Sequence, residues 1–375
     1  MGWVRVLGPA TIVSVAYIDP GNFGANIEAG ARFGLALLWV VAVSGGLGVA
    51  VQYVAGMVGV KRGAGVLDLV GERWRPLLAP PLVAMVLATD MAEYMGVVLG
   101  LFLLTGLPLW LCAVLGFVDV LFLALLADRR ELFAKVIGGM VAFVALSFLV
   151  QLYLVKPDWG AVLSSLVAPN LGGGMALVAA AIIGATIMPH AVLLHTHLAV
   201  GQARSEHLYQ TLVNMTGAAF INAAILITSA YQLRGSAVEL VEIPSLLKPL
   251  YGPLAAYLFS AALLLSGISS SAVSVEAGLV VAKYLLGRVV EPWKARLAAR
   301  SANVVPAVAA VAGAGVSPLM ILVYTQAVLA AVLPAVLVLL WYYSHGAVSR
   351  FLRGVVLAVA AFAAFMTSLS LAGVA

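Results

Sequence analysis

Apolar residues run along this chain in long, nearly unbroken stretches, and short polar clusters with Gly/Pro punctuation separate them into eleven segments. Five lie near 7–33, 35–59, 77–104, 108–127 and 132–154, and six more near 173–201, 210–231, 252–286, 297–315, 317–343 and 352–373. A helix needs roughly 20 residues to cross a hydrocarbon core about 30 Å thick. The pattern therefore predicts an all-α integral membrane protein with about eleven transmembrane helices.

Two of these spans are interrupted. Asp19-Pro20-Gly21-Asn22 falls inside the first and Met188-Pro189-His190 inside the sixth, where apolar residues should run on. Proline removes a backbone donor and clashes with the preceding turn. Each interruption thus frees carbonyls at bilayer depth, where they survive only if buried in protein or lining a cavity. The broken helices stand five spans apart, the expected pattern for two inverted five-helix repeats whose unwound helices build a substrate site at the midplane. Helices 1–5 (about 7–154) would form one repeat and helices 6–10 (about 173–343) the other, with the helix near 352–373 an addition outside them.

Composition strengthens this reading. Of the 375 residues 64% are hydrophobic and 9% charged, against about 25% charged in a soluble domain, so residues 1–375 read as a single transmembrane domain. The net charge of +5 implies no nucleic-acid partner, because cytoplasmic loops of membrane proteins collect Lys and Arg. With the N-terminus inside, the cytoplasmic stretches hold Arg5; Lys61, Arg62, Arg73 and Arg75; Arg129, Arg130 and Lys135; Arg204; Lys283, Arg288, Lys294, Arg296 and Arg300; and Arg350 and Arg353. Only Arg32, Lys156, Arg234 and Lys248 remain outside. The expectation is a multi-pass protein of the cell membrane, N-terminus cytoplasmic and C-terminus outside. The first apolar run lacks a small-residue cleavage site and reads as a span rather than a removable signal. The single cysteine, Cys112, excludes an internal disulfide and a thiolate metal centre.

Charges within spans cost roughly 2.5–3.5 kcal/mol each on insertion scales, so Asp19, Glu28, Asp90, Glu93, Asp119, Glu276 and Arg300 mark places of interest. Asp119 and Glu276 read most simply as buried, hydrogen-bonded acids or as groups near a helix end. Asp19 and Asn22 supply a carboxylate and an amide carbonyl, both hard oxygen donors, and Asp19 can also cap the helix that restarts at the break, since capping and ligation can use the same broken turn. Across the repeat axis the unwound turn before Pro189 offers the Ala185 carbonyl and the Met188 thioether. A dehydrated cation at the midplane could collect all four. Sulfur is soft and favours transition metals over Mg²⁺ or Ca²⁺; a membrane methionine is usually packing, but one placed directly before the proline of a second broken helix is not typical.

The run His190…His195…His197 invites a metalloenzyme reading that helical geometry weakens. His190 and His195 lie about 140° apart around a helix, and His190 and His197 share a face but are about 10 Å apart along it. His195 and His197 read as packing or hydrogen-bonding groups, whereas His190, beside the break, is placed to exchange a proton. Asp90 and Glu93, at i and i+3, face the same way. They could hold one proton between them, with Arg300 neutralising one acid, in either a proton path or a static ion network.

Taken together these motifs resemble the Nramp family of divalent metal transporters, related in fold to the LeuT-type transporters, over essentially the whole chain. The Asp-Pro-Gly-Asn motif of helix 1 stands at Asp19–Asn22, the Met-Pro-His motif of helix 6 at Met188–His190, and the Ala-x-x-Met spacing at Ala185 and Met188. The resemblance implies that Asp19, Asn22, the Ala185 carbonyl and Met188 bind the metal, that Gln326 is the helix 10 glutamine, and that Asp90, Glu93 and Arg300 match the acid and arginine motifs of helices 3 and 9. With Asp19 and His190 these form the expected proton pathway. Ala191, Leu279 and Asn26 depart from the family's usual Asn, Gln and nearby acid, which bears on the outer vestibule and gating. The function expected is proton-coupled import of Mn²⁺, Fe²⁺ and also Cd²⁺ by alternating access, with metal ion and proton as substrates, the lipid bilayer as surroundings, no cofactor, and a monomer as one option. The alternatives are a Mg²⁺ transporter of the related branch, which Met188 opposes, a passive channel, and an intramembrane metalloenzyme.

Overall fold

The computed structural model describes residues 8–117, 119–120, 130–172, 174–235 and 239–372, and among them every regular element is helical. Arg5, Arg129 and the stretch 121–127 of the expected fourth span lie outside the described residues. Eight of the described helices are long and apolar enough to cross a membrane by length and composition. Helices at the first, fourth and ninth positions fall short individually. The first is broken into α1 (Pro9–Ala16) and α2 (Pro20–Phe33), the fourth is described chiefly as α6 (Leu109–Leu115), and the ninth, α13 (Pro292–Val308), ends in a π turn at Ala309–Gly313.

The remaining spans are α3 (Leu38–Arg62), α5 (Arg75–Thr105), α7 (Arg130–Val155), α9 (Ala176–Thr186) with α10 (Pro189–Leu198), α11 (Arg204–Gln232), α12 (Ile243–Leu286), α14 (Pro318–Tyr343) and α15 (Arg350–Leu371). Short helices α4 (Val66–Leu69) and α8 (Trp159–Val167) occupy two of the connections. The eighth span begins later than its helix does, because Gly252 at φ 81° turns the chain between Ile243 and the span proper, a conformation only glycine adopts without strain. The ninth helix begins at Pro292, ahead of the apolar run, and so carries Arg296 and Arg300 into the protein. Both are buried, which removes them from the cytoplasmic surface charge to which the sequence pattern assigned them.

The two breaks have the same local construction. The residue before a proline is driven to extended backbone, and Asp19 (ψ 166°) and Met188 (ψ 121°) both comply, each standing immediately ahead of a half-helix whose first residue is proline. Proline suits that position because its missing N–H would be unpaired there anyway. The side chain preceding each proline is thereby fixed at the helix entrance.

Two carbonyls at the first break find partners on neighbouring spans, as buried polar groups in lipid require. The Tyr17 carbonyl accepts from Asn222 Nδ2 of α11 at 2.9 Å and the Ile18 carbonyl from Ser266 Oγ of α12 at 2.6 Å. Asn222 also accepts from Asn26 Nδ2 at 3.0 Å, so Asn26 ties α2 to α11.

Candidate functional site

Asp19 uses its two carboxylate oxygens differently. Oδ1 accepts from the Asn22 backbone N–H and from Asn22 Nδ2, both at 2.8 Å, and so caps α2. Oδ2 is buried without a hydrogen bond. Asn22 Nδ2 also donates to the Ala185 carbonyl at 2.9 Å, which joins the first break to the second, and Asn22 Oδ1 is left buried and unpaired. From α14, both amide atoms of buried Gln326 are unpaired as well. Gln326 approaches the first break because position 21 is glycine. A methyl group there would collide with the Gln326 amide and sit 2.9 Å from Asp19 Oδ2.

The structure therefore brings Asp19, Asn22, Ala185 and Gln326 together, and holds Met188 fully buried at the entrance to α10. Unpaired buried polar atoms cost about 1–3 kcal/mol each. Three acceptor oxygens left in this condition, with a carbonyl at the negative end of half-helix α9, form a pocket suited to a dehydrated cation.

A second polar cluster lies between α5, α12, α13 and residue 119. Arg296 Nη1 inserts between Asp90 Oδ1 (2.6 Å) and Glu93 Oε2 (2.7 Å), while its Nη2 reaches Asp119 Oδ2 at 2.6 Å. Arg300 contacts Asp90 at 3.3 Å and Asp119 at 2.7 Å, donates to the Gly116 carbonyl, and lies over the Tyr94 ring at 4.7 Å. Ser274 donates to Glu93 at 2.6 Å and Asn303 to Asp90 at 2.8 Å. Three buried carboxyl groups thus face two buried guanidiniums. His190 is linked toward this cluster through Thr89, whose hydroxyl is 3.3 Å from Nδ1 and which precedes Asp90 on α5.

Arg300 meets one acid of the pair, Asp90, as expected, but Arg296, which the apolar pattern puts in a cytoplasmic loop, takes the central place between Asp90 and Glu93. Arg296 was open to detection, since it stands four residues before Arg300 on one helical face behind a proline helix start. Asp119 is buried and hydrogen-bonded as expected, and like Asp90 it contacts both arginines. His195 and His197 pair elsewhere, with Gln52 (2.8 Å) and Asp68 (3.0 Å) respectively. Among the described residues no group of three or more His, Cys, Asp and Glu is arranged to hold a metal.

A polytopic helical protein with two discontinuous helices meeting at a buried polar pocket has the architecture of a LeuT-type secondary transporter. The match to Mhp1 in its inward-facing conformation (TM-score 0.57, 13% identity, 98% of this chain and 91% of that one) extends to the whole fold. Residues 10–375 match the family model for Nramp, natural resistance-associated macrophage protein-like, and the chain belongs to that family. It is 36% identical over 354 residues to the divalent metal cation transporter MntH of Deinococcus radiodurans, covering 88% of this chain and 80% of that protein. It is 35% identical over 356 residues to the MntH of Caldanaerobacter subterraneus, covering 90% and 83%. The Eremococcus coleocola manganese transporter shares the fold at TM-score 0.82 and 23% identity, over 98% of this chain and 86% of that one. The relatives are transporters, not enzymes.

Removing one guanidinium from a buried cluster leaves uncompensated charge at a cost of about 3–5 kcal/mol. Arg296→Met is expected to lower the thermal unfolding midpoint sharply, and Arg296→Met with Asp119→Asn to recover part of the loss. A double variant that melts no higher than the single one would contradict this coupling.

Proposed function

We propose that this protein carries divalent transition-metal ions, Mn²⁺ or Fe²⁺ and also Cd²⁺, into the cell together with protons, by alternating access. The observation that carries the reading is the set of unpaired buried oxygens of Asp19, Asn22 and Gln326 where the two broken helices meet. The identity of the relatives as divalent metal cation or manganese transporters supports it.

The ion is the transported substrate. Asp19 Oδ2 supplies the one full negative charge. The Asn22 amide, whose donor nitrogen bridges the carboxylate of one break and the carbonyl of the other, turns its oxygen inward when a cation replaces that nitrogen. The Ala185 carbonyl, Gln326 and the Met188 thioether complete the shell. Hard oxygens alone would accept Ca²⁺ or Mg²⁺, so the sulfur imposes the choice by replacing a water oxygen that those ions need. This argues against the Mg²⁺ branch.

Protons leave the metal site through the second cluster. With three carboxyl groups against two guanidiniums, Asp90, Glu93 and Asp119 can accept one proton while the arginines stay paired, and His190 with Thr89 connects that cluster to the sixth-helix break. The two five-helix repeats rock about the shared site. The N-terminus and the 61–75 loop face the cytoplasm and the C-terminus the outside of the cell membrane, following the basic residues that stay at the surface, and a monomer suffices.

Uptake of radioactive Mn²⁺ into proteoliposomes with internal pH read simultaneously tests the whole reading: both signals should rise together, and metal entry without acidification would reject symport. In the same assay Glu93→Gln should flatten the pH dependence of uptake more than it weakens metal binding; an unchanged profile would make Glu93 structural. Met188→Ala should lower Cd²⁺ affinity strongly and Mn²⁺ affinity modestly, and let Ca²⁺ compete with Mn²⁺; continued exclusion of Ca²⁺ would assign selectivity to cavity shape. For orientation, single cysteines at positions 64 and 372 on a Cys112-free background should label from opposite faces, and labelling from one face would overturn it.

A further inference from the structure

Away from the metal pathway, α3 and α14 end together and α15 begins beside them, enclosing a cavity of about 480 Å³. Arg62 closes one side of it. Its Nε donates to the Tyr343 carbonyl at 3.3 Å and its Nη2 to the His345 carbonyl. Arg353 closes another, with Nε 3.4 Å from the Trp341 carbonyl and its guanidinium 5.0 Å above the Trp341 ring. Tyr343 is fixed from behind by a bond from its hydroxyl to the Leu69 carbonyl at 2.8 Å.

Both arginines cap the end of α14, where orphan carbonyls and the negative end of the helix dipole attract cations. Capping does not exhaust them. Arg62 Nη1 and both Nη atoms of Arg353 make no hydrogen bond among the described residues. Neither guanidinium has a carboxylate within 4 Å among the described residues. No acidic residue lines the cavity. Two oriented, unneutralised guanidiniums with free donors are the arrangement that recognises a phosphate group.

The position decides where the phosphate comes from. Three membrane spans terminate at this level, and the indole and phenol rings around the cavity are the side chains that settle among lipid headgroups. Tyr342 at its rim is 63% exposed. The volume also exceeds what a bare inorganic ion would fill. We infer that this cavity binds the phosphodiester headgroup of an anionic phospholipid, which bridges the end of α3 to α14 and α15. Basic pockets between spans on the cytoplasmic side bind headgroups for this electrostatic reason.

The full chain is melted in nanodiscs of phosphatidylcholine with and without phosphatidylglycerol, and lipid retention is counted by native mass spectrometry. Phosphatidylglycerol should raise the wild-type midpoint by ~3 °C or more, with less than half that rise and less retained lipid for Arg62→Gln/Arg353→Gln. Arg350→Gln, an exposed neighbour outside the cavity, should keep the full rise. If the double Gln variant does not fold, Arg62→Lys/Arg353→Lys, which keeps charge but loses the planar fork, decides by an intermediate rise. An equal rise and equal retention in wild type and the arginine variants would overturn the site. A full rise produced by glycerol phosphate in phosphatidylcholine discs would overturn the lipid assignment in favour of a soluble anion.

Discussion

Backbone that cannot hydrogen-bond to its own helix is intolerable in hydrocarbon, and the molecule is organised around two places where proline imposes that condition. At Asp19-Pro20 and Met188-Pro189 the residue before the ring is held extended and the ring opens a new half-helix. Neighbouring spans must then pair the released carbonyls. Asn222 and Ser266 do so for Tyr17 and Ile18, and Asn22 does so for Ala185 across the gap. Each break is therefore locked to the rest of the bundle by the bonds that make it affordable.

The same construction sorts polar atoms into two kinds. Some, such as Asp19 Oδ1, are consumed in holding the break. Others, Asp19 Oδ2 and the side-chain oxygens of Asn22 and Gln326, are buried with nothing to bind. A folded protein that keeps such atoms in its interior loses stability for them, and on the reading advanced above a dehydrated metal ion recovers it. The neighbouring Asp90–Glu93–Asp119–Arg296–Arg300 cluster differs in kind. Its charges are nearly balanced and closely bonded, although Asp119 Oδ1 is left buried and unpaired.

Much of this was legible in the chain. Eleven apolar runs, two prolines at equivalent depth and the residues before them identify the architecture and the pocket, because bilayer thickness and proline stereochemistry act locally. The ion cluster was half legible. Asp90 and Glu93 share a helical face in one segment, but Asp119 and Arg296 meet them only through packing of separate spans, and the apolar-run boundary put Arg296 in a loop. The pairing of His195 with Gln52 and of Asn26 with Asn222 likewise depends on which helices become neighbours. Hydropathy does not encode that.

The central claim is that one cation sits where the two breaks meet. Anomalous X-ray diffraction from crystals of the full chain soaked in Mn²⁺ tests it most directly. The account predicts a single strong peak within bonding distance of Asp19, Asn22 and Met188, absent in Asp19→Ala crystals. A principal peak elsewhere, for instance at Asp68 and His197 or at Glu28, with none between the broken helices, would contradict it.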